Sequence, residues 1–359
     1  MSQKEVVLVT GVAGYWGGRV AEKLIAEPGF HVIGVDVEQP RQQIKGLDFI
    51  QTDIRNPLLV DLLRSEAVDI VCHLAFVDAP RPSESAFEVN VMGTMKVLGA
   101  CAEVGVRKAV LKSSMAVYGA RPNNSAFLTE QHPLRGSRRY GNTRYIMEIE
   151  AFCNGFRRQV PEMDLTILRF SSVVGPTVDT PMTRFLKELW TPVLLGFDPM
   201  MQIIHERDVV DALAHAVIHH VPGVFNVAAE GVMPLSRLMA LAGKVPLPVF
   251  HLFAYWGVSL LGGSGLRLTR HVPIELDYIR YRWVGDLRKM REQLAFSPAY
   301  TAEETLREFA SEQRMRSYMP ETAARAFDEE RLSDTLERRR RMREREASSS
   351  ENQEEEAND

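Results

Sequence analysis

The sequence contains few cysteines and no long hydrophobic run. Its 359 residues include three cysteines, Cys72, Cys101 and Cys153, which form neither a paired framework nor a Cys-x-x-Cys metal motif. This pattern excludes a small disulfide-stapled module and favours a reducing compartment. The longest apolar stretch, Leu247 to Leu261, is interrupted by His251 and is too short to cross a bilayer about 30 Å thick. Because no basic-then-apolar segment opens the sequence, we expect a cytoplasmic chain without a transmembrane segment.

An excess of charge of one sign is also lacking over most of the chain. The net charge of −4 arises in residues 321–359, which hold 13 acidic residues, eight arginines and no lysine. Residues 1–320 carry 35 basic and 34 acidic residues and lack the basic footprint of nucleic-acid recognition, so we expect no nucleic-acid partner. The tail is typical of a charged helix followed by disorder. Its run Arg338–Arg341 is either a solvated helix face or an interaction element.

The chain does contain an alternation of apolar strand-like runs with helix-length segments. Segments such as Arg19–Glu27 and Val89–Val104 have helical length and period. This alternation predicts βαβ units, and therefore an α/β fold with a Rossmann-type doubly wound parallel sheet. The strand-like runs, all rich in Val and Ile, are Val6–Thr10, His31–Asp36, Phe49–Asp53, Asp69–Phe76, Ala109–Ser114 and Leu165–Phe170.

The alternation loosens after Gly175, which predicts three regions. Residues 1–175 form a dinucleotide-binding Rossmann domain whose sheet is completed by later strands, such as Val224–Ala228. Residues 176–320 form mainly a smaller C-terminal substrate lobe at the carboxyl edge of the sheet, where ligands bind in such folds. Residues 321–359 form the charged tail, which we expect to be disordered beyond its helix.

The strongest local motif is Gly11-Val12-Ala13-Gly14-Tyr15-Trp16-Gly17, which follows a predicted strand and opens a predicted helix. Its glycines permit a tight turn, a close backbone approach to a pyrophosphate, and close packing of helix against strand. The helix N-terminus supplies N–H groups to the phosphates. Asp36 ends the next strand, 19 residues after Gly17, where a carboxylate accepts from ribose hydroxyls and repels a 2′-phosphate, so NAD is favoured over NADP. The alternative is a structural glycine turn beside a surface aspartate.

These and later motifs resemble those of the extended short-chain dehydrogenase/reductase family, in its NAD-dependent epimerase/dehydratase group. The segments that carry the resemblance are Thr10–Gly17, Asp53–Arg55, His73–Ala75, Asn90–Thr94, Lys112–Gly119, Leu168–Pro176 and Ile204–Val209. It implies that Asp53 contacts the adenine amino group and that Ser114 is the active-site serine. The cofactor-binding residues that it implies are Gly11, Ala13, Gly14, Tyr15, Trp16, Gly17, Asp36, Asp53, Ile54, Leu74, Ala75, Phe76, Asn90, Ser113, Tyr140 and Arg144.

Chemistry in that family depends on a tyrosine and a lysine four residues later, one helical turn apart, so that both face the nicotinamide. Here the segment is Tyr140-Gly141-Asn142-Thr143-Arg144, and the lysine is an arginine. A tyrosine has a pKa of about 10 and needs a nearby cation to lower it; Arg144 supplies that charge without relaying a proton. We predict that Tyr140 takes the substrate's hydroxyl proton while the nicotinamide takes the hydride, and that Ser114 polarises the developing carbonyl. Ser114, Tyr140 and Arg144 are thus the predicted catalytic residues.

The substrate side gives mixed signals. The segments Leu194–Glu206, Phe225–Ala229 and Gly243–Val249 resemble an actinobacterial UDP-glucose 4-epimerase-like subgroup, which implies a nucleotide-sugar substrate. Ser172 and Met201 stand where sugar-nucleotide enzymes usually carry an asparagine and an arginine. A group of arginines near the tyrosine is either solvated surface or a site for a substrate diphosphate; its members are Arg135, Arg138, Arg139 and Arg144.

Two other functions stay open at this point. Tyr140 is an ordinary aromatic at a helix start if the chain only binds NAD or a nucleotide sugar, with turnover weak or lost. The second is a 3-hydroxysteroid-type dehydrogenase with weak membrane association, because the segment Pro246–Leu261 suits an apolar substrate pocket as well as core packing. The large side chains of that segment are Phe250, Phe253, Tyr255 and Trp256.

We expect no metal, and the sequence leaves the oligomeric state open. His205 has no cysteine or second histidine at metal spacing and suits a structural role. His219-His220 falls at a predicted helix end, where it complements the helix dipole. The family resemblance implies a homodimer formed through the helices near Val89 and Arg144.

Overall fold

The structure is a computed structural model that describes residues 4–188, 190–250 and 275–318. The chain divides into two compact units, Met1–Phe309 and Ala310–Asp359. The predicted tail over 321–359 lies outside the described residues, as do Phe253, Tyr255 and Trp256. The division into a Rossmann domain (1–175), a substrate lobe (176–320) and a tail (321–359) stays a prediction.

A seven-stranded parallel sheet forms the centre of the first unit. Its strands are β1 (Glu5–Thr10), β2 (Phe30–Asp36), β3 (Asp48–Gln51), β4 (Ile70–His73), β5 (Lys108–Ser114), β6 (Asp164–Phe170) and β7 (Gly223–Val227). They lie in the order β7-β6-β5-β4-β1-β2-β3, and every neighbouring pair is parallel. The order reverses between β1 and β4, and ligands bind at the carboxyl ends of strands beside such a switch point. The predicted α/β fold with a Rossmann-type sheet is confirmed.

Helices cover both faces of this sheet. The described α-helices are α1 (Tyr15–Ile25), α2 (Leu59–Ser65), α3 (Glu84–Phe87), α4 (Gly93–Val104), α5 (Gly141–Gln159), α6 (Pro181–Lys187), α7 (Glu206–Ile218), α8 (Leu235–Leu241), α9 (Arg288–Glu292) and α10 (Ala302–Tyr318). A π-helical turn, Glu88–Met92, precedes α4, and 3₁₀ turns occupy Met115–Tyr118 and Leu276–Ile279. Successive side chains of a strand point to opposite faces, so Val7 and Val9 pack with α1 and α7 whereas Leu8 packs with α4 and α5. The sheet is therefore doubly wound.

Two predicted strands extend too far at their carboxyl ends. The run Asp69–Phe76 leaves the sheet after His73, and Phe49–Asp53 leaves it after Gln51. After His73 the hydroxyl of Thr10 accepts the N–H groups of the next two residues, which takes them out of the β ladder. The backbone donors leave the sheet because a side chain offers them a better-placed acceptor.

Short strand pairs frame the carboxyl edge of the sheet. Ser172–Val174 pairs in parallel with Ile203–His205, and Trp190–Leu194 pairs in parallel with Val245–Val249. Met200–Met201 pairs with Met233–Pro234 in antiparallel fashion. Across the described ranges, no helix combines the length and the apolarity that a membrane span needs. The cytoplasmic location stays a prediction.

Candidate active site

The glycine-rich loop between β1 and α1 is built as an anion site. Gly11 has φ +76°, and a Cβ there would lie 2.7 Å from backbone atoms of Ala75. A Cβ on Gly17 would lie 2.1 Å from the carbonyl oxygen of Gly11, so both positions require glycine. Gly14 is the N-cap of α1 and supplies no capping side chain, which leaves the first N–H groups of the helix open to a ligand.

The Asp36 carboxylate lies beside this loop. Its Oδ2 accepts the N–H of Ala13 at 2.9 Å, and its Oδ1 accepts the N–H of Glu38 at 3.2 Å. Two carboxylate oxygens offer about four lone-pair positions, so acceptor capacity remains after these two bonds. The carboxylate is therefore held at the end of β2 with room to accept from ribose hydroxyls. Together with the open loop, this position fits a dinucleotide.

A buried relay of uncharged groups fixes the start of the loop after β4. The Thr10 hydroxyl accepts the N–H groups of Leu74 and Ala75 at 3.0 and 3.1 Å and lies 2.8 Å from His73 Nδ1. On the other side of the ring, His73 Nε2 lies 2.9 Å from Thr94 Oγ1, which donates its own proton to the Asn90 carbonyl. Thr94 can accept only from a protonated Nε2, so Nδ1 accepts from Thr10. Burial lowers the pKa of His73 to about 4 and keeps the ring neutral.

The Asn90 side chain clamps the same loop. Its Oδ1 accepts the N–H of Val77 at 2.8 Å, and its Nδ2 donates to the Val77 carbonyl at 2.9 Å. Asn90 is fully buried, and its amide is occupied by these two bonds. The structure thus gives it the task of shaping the cofactor loop, and its direct contact with a cofactor stays a prediction.

A cavity of about 510 Å³ opens where these loops meet. Among the predicted site residues, those that line it are Gly11, Gly14, Tyr15, Trp16, Gly17, Leu74, Ala75, Phe76, Ser113, Ser114 and Tyr140. Those that do not line it are Ala13, Asp36, Asp53, Ile54, Asn90 and Arg144. Asp53 is paired with Arg55 at 2.6 Å, which lowers the pKa of its carboxyl, and Ile54 is buried. The structure therefore brings the phosphate loop and two of the three predicted catalytic residues to one cavity.

Ser114 and Tyr140 each sit at the start of a helical segment and face this cavity. Ser114 caps the 3₁₀ turn Met115–Tyr118, and its Oγ accepts the N–H of Ala116 at 3.1 Å. Tyr140 is the N-cap of α5 and has extended backbone angles, φ −89° and ψ 121°. Burial, and next the Glu275 carboxylate, raise the pKa of Tyr140 to about 12. In the protein alone the Tyr140 phenol is protonated at neutral pH.

Arg144 points elsewhere. Its Nε donates to Glu148 Oε1 at 2.9 Å, and its side chain is 41% exposed. Tyr140 precedes the first helical residue, so the one-turn spacing that aligns positions i and i+4 does not carry over to this pair. The catalytic role of Arg144 stays a prediction, and in the structure its charge is paired on the outside of α5.

Lys112 lines the cavity, and its role was missed in the sequence. It lies two residues before Ser114 on β5, so the two side chains share a face of the strand. Its ammonium lies 5.2 Å from the centre of the Trp16 ring, and burial lowers its pKa to about 8. The available signal was a charged side chain two residues before the predicted active-site serine on the same strand.

The predicted substrate side is lined by a mixture of polar and apolar groups. Ser172 and Met201 both face the cavity, together with Glu275, Tyr278 and Trp283. None of the arginines proposed from the sequence for a diphosphate, Arg135, Arg138, Arg139 and Arg144, is among the lining residues. Arg184 of α6 lines it instead and is paired with Asp179 at 2.9 Å and with Asp78 at 3.3 Å.

An ion pair is buried beside β5. Arg169 and Glu150 form it with side chains 4% and 2% exposed, and Ser113 donates to the same carboxylate. Arg169 also donates to the Tyr118 hydroxyl at 2.6 Å, and Tyr118 donates to Asn226 Oδ1 at 2.7 Å. Burial alone would lower the pKa of Arg169, but Glu150 raises it above its usual value. This network holds β5, β6, β7 and α5 together directly behind Ser114.

His205 and Asp208, which belong to the motif Ile204–Val209, make contacts that support the fold. His205 is fully buried, caps α7 by accepting the N–H of Arg207 at 3.2 Å, and stacks on Tyr300. Asp208 accepts the N–H groups of Ala299 and Tyr300 at 2.7 and 3.2 Å. Among the residues that the structure describes, no group of His, Cys, Asp or Glu is arranged to hold a metal ion. The three cysteines are buried and free.

Relatives with similar sequences are found over most of the chain. An uncharacterised protein of Mycobacterium tuberculosis is 33% identical over 314 residues, which cover 85% of this chain and 83% of the relative. UDP-glucose 4-epimerase 2 of Oryza sativa subsp. japonica is 32% identical over 187 residues, 47% of this chain and 45% of the rice protein.

Solved structures share the fold. UDP-glucose 4-epimerase of Thermotoga maritima, solved with UDP-glucose, has a TM-score of 0.66 at 21% identity, over 86% of this chain and 99% of that one. UDP-glucuronic acid 4-epimerase of Bacillus cereus has a TM-score of 0.65 at 20% identity, over the same shares, 86% and 99%. The sequence itself matches the family model described as the NAD dependent epimerase/dehydratase family over residues 7–228. The predicted family and its cofactor, NAD, are thereby confirmed: the chain belongs to the NAD dependent epimerase/dehydratase family.

Proposed function

We propose that this protein is an NAD-dependent nucleotide-sugar epimerase or oxidoreductase that works by reversible hydride transfer, similar to UDP-glucose 4-epimerase. One observation carries the proposal: Ser114 and Tyr140 open into the same cavity as the phosphate-binding loop. A proton acceptor, a hydroxyl donor and a dinucleotide cradle are the parts that this chemistry needs. The rice relative and the solved 4-epimerases support the substrate class.

The two side chains have separate tasks. NAD, when bound, would supply the hydride acceptor and donor for the substrate carbon. The Tyr140 oxygen takes the proton from the substrate hydroxyl and gives it back on the return step. Ser114 donates a hydrogen bond to the same substrate oxygen as it becomes a carbonyl, because its Oγ is held at the edge of the cavity by its bond to Ala116 N–H.

Tyr140 needs a cation before it can act as a base. Its pKa of about 12 in the free protein leaves the phenol protonated, and the Glu275 carboxylate adds to that effect. A positive charge brought close to the phenol lowers its pKa by about one to three units. NAD carries a positive charge on its oxidised ring, so cofactor binding and activation of Tyr140 are coupled in this proposal.

The substrate pocket departs from the usual nucleotide-sugar pattern at two positions. Ser172 is shorter than asparagine, and Met201 supplies no charge for a diphosphate. Arg184 is the guanidinium that lines the cavity, and it would have to exchange its carboxylate partners Asp179 and Asp78 to bind a substrate diphosphate in a bidentate manner.

The test is interconversion of UDP-glucose and UDP-galactose by the purified protein supplied with NAD. We expect turnover by the wild type and a loss of about 10²- to 10⁴-fold in kcat for Tyr140→Phe. Tyr300→Phe is the matched control, because the Tyr300 hydroxyl binds Arg207 at 2.9 Å outside the cavity. Full turnover by Tyr140→Phe, or no conversion of any UDP-sugar by an NAD-loaded wild type, would contradict the proposal.

A further inference from the structure

The cavity contains an ammonium group, that of Lys112, which lies over the Trp16 ring but has no anionic partner among the described residues. Lys112 makes no hydrogen bond or ion pair with another described residue. The nearest carboxylate that acts on it is Asp78, which already binds Arg184 and the Asn142 amide. A half-buried ammonium is costly unless something compensates it, so its position calls for an anionic ligand.

The surroundings of Lys112 indicate which ligand. Trp16, whose ring lies 5.2 Å from the ammonium, belongs to the first turn of α1, directly after the uncapped Gly14. Gly14, Trp16 and Lys112 all line the cavity, so the first turn of α1 and the ammonium of Lys112 open into the same cavity. A helix N-terminus and a lysine together make a site for a phosphate group.

The other charged residue predicted for this site is engaged elsewhere. Arg144 is paired with Glu148 and does not line the cavity. Arg184 also lines the cavity, but two carboxylates, those of Asp179 and Asp78, already compensate its charge. Within the described residues, Lys112 is the basic side chain of the cavity that is not ion-paired.

We propose that Lys112 binds the diphosphate of NAD. The inference rests on the proposed function only for the cofactor, and it concerns binding rather than turnover. Lys112 and the N-terminus of α1 hold the diphosphate from two sides, and Ser114 on the same face of β5 stays free for the substrate oxygen.

Protonation of Lys112 makes this inference testable in the wild type itself. With a pKa of about 8 in the free protein, Lys112 loses its charge as the pH rises above 8, and an anionic ligand binds the protonated form. The cofactor affinity should therefore fall about tenfold between pH 7 and pH 9. The other titratable or charged groups that line the cavity are His73, Asp78, Glu150, Asp179, Arg184, Glu275, Tyr15, Tyr140 and Tyr278.

The pKa values of several of these groups lie outside the range from pH 7 to pH 9. Burial lowers the pKa of His73 to about 4 and raises those of Tyr15 and Tyr140 to about 12. The pKa of Arg184 is raised by its bond to Asp179. The variant Lys112→Met separates the effect of Lys112 from the effects of the other groups, because it lacks only the lysine.

The experiment is calorimetric titration of NAD into the full-length protein, freed of bound nucleotide, between pH 7 and pH 9.5. At pH 7 we expect Lys112→Met to weaken binding about 10- to 100-fold, as loss of a charged hydrogen bond does. Lys112→Arg should bind with an affinity that stays flat up to pH 9.5. Lys23→Met is the matched control, because Lys23 lies in the last turn of α1 and pairs with Asp211.

Three results would overturn the inference. They are unchanged NAD affinity in a folded Lys112→Met protein, a pH-independent wild type, and a loss in Arg144→Met that exceeds the loss in Lys112→Met. ADP-ribose, which keeps the diphosphate but lacks nicotinamide, should show the same dependence on Lys112. A loss seen with NAD alone would place the lysine at the nicotinamide end instead.

Failure of the proposed function gives a different result. A wild type that binds NAD with the expected dependence on Lys112, but converts no UDP-sugar, contradicts the function and supports the inference. If turnover depends on Tyr140 but the affinity for NAD does not depend on Lys112, the proposed function is supported and the inference is contradicted. A wild type that binds no NAD at all contradicts both.

Discussion

Two buried polar networks support the cavity, and they differ in charge. On the cofactor side, Thr10, His73 and Thr94 form a relay of neutral groups. Beside β5, Glu150 and Arg169 form an ion pair. A neutral network is stable because each donor meets an acceptor, whereas an ion pair in a low-dielectric interior depends on the presence of both charges. The stability that the neutral relay provides should therefore depend on pH, and the stability that the ion pair provides should depend on the presence of both partners.

The largest effect is expected from breaking the ion pair. Arg169→Met leaves the Glu150 carboxylate buried without its partner and should cost about 3–5 kcal/mol of unfolding free energy. Urea unfolding monitored by circular dichroism measures this loss. The double variant Arg169→Met with Glu150→Gln, which removes both charges, should recover part of it. A loss below about 1 kcal/mol would show that the buried charge finds another partner.

Acidification should act on the neutral relay. The unfolded histidine binds a proton below about pH 6.5, whereas the folded His73 binds one only near pH 4. Its stabilising contribution is therefore fully present above pH 6.5 and is lost as the pH falls towards 4, by about 3 kcal/mol in total.

Urea unfolding at several pH values tests this sign. Carboxylates also contribute to acid sensitivity, so the measured quantity is the difference between the wild type and His73→Gln. That difference should shrink from pH 7 to pH 4.5, because the glutamine does not titrate. A constant difference over this range would mean that folding does not shift the pKa of His73.

Loss of the Thr10 hydroxyl should have a smaller effect. Thr10→Val keeps the shape but leaves the N–H groups of Leu74 and Ala75 without their acceptor, at a cost of about 1–3 kcal/mol. Because these residues line the cavity, NAD affinity should fall as well. Thermal unfolding with and without NAD separates the two effects, and an unchanged midpoint in both conditions would contradict this role.

The smallest effect should come from the ion pair on the outer face of α5. Arg144 and Glu148 have side chains 41% and 36% exposed. Arg144→Met should change the unfolding free energy by less than about 0.5 kcal/mol, as for other exposed pairs. A change as large as that of Arg169→Met would overturn the contrast between the buried and the exposed ion pair.

The chain pattern predicted the fold closely but missed where some elements end. Every predicted strand of the sheet is present, because a parallel strand that is buried on both faces consists of a short run of apolar residues. The strand predicted to reach Phe76 stops at His73 because a threonine from another strand captures the next N–H groups. Such contacts join residues more than 60 positions apart and leave no local signal.

For the candidate site, too, the sequence predicted some features and missed those that depend on contacts between distant residues. The glycine loop, Asp36 and Ser114 are visible in the sequence because each lies at the carboxyl end of a predicted strand, and Tyr140 is visible through the resemblance to the family's tyrosine motif. The sequence did not predict that the Asn90 amide clamps Val77, and the contact of Asn90 with the cofactor stays a prediction. The sequence determines which residue types stand near the cofactor, and the packing around them decides which ones face it.

The sequence by itself determined the α/β class and the phosphate-binding loop, because these depend on local periodicity and on the few turns that glycine permits, and its resemblance to a family pointed to Ser114 and Tyr140. Only the tertiary structure decided which cation faces the cavity. Arg144 is paired on the outside of α5 with Glu148, one turn further along the helix, whereas Lys112 lies at the carboxyl end of β5, where consecutive residues line the cavity. Side-chain direction follows from how helix and strand pack against their neighbours, and residue spacing alone does not contain that information.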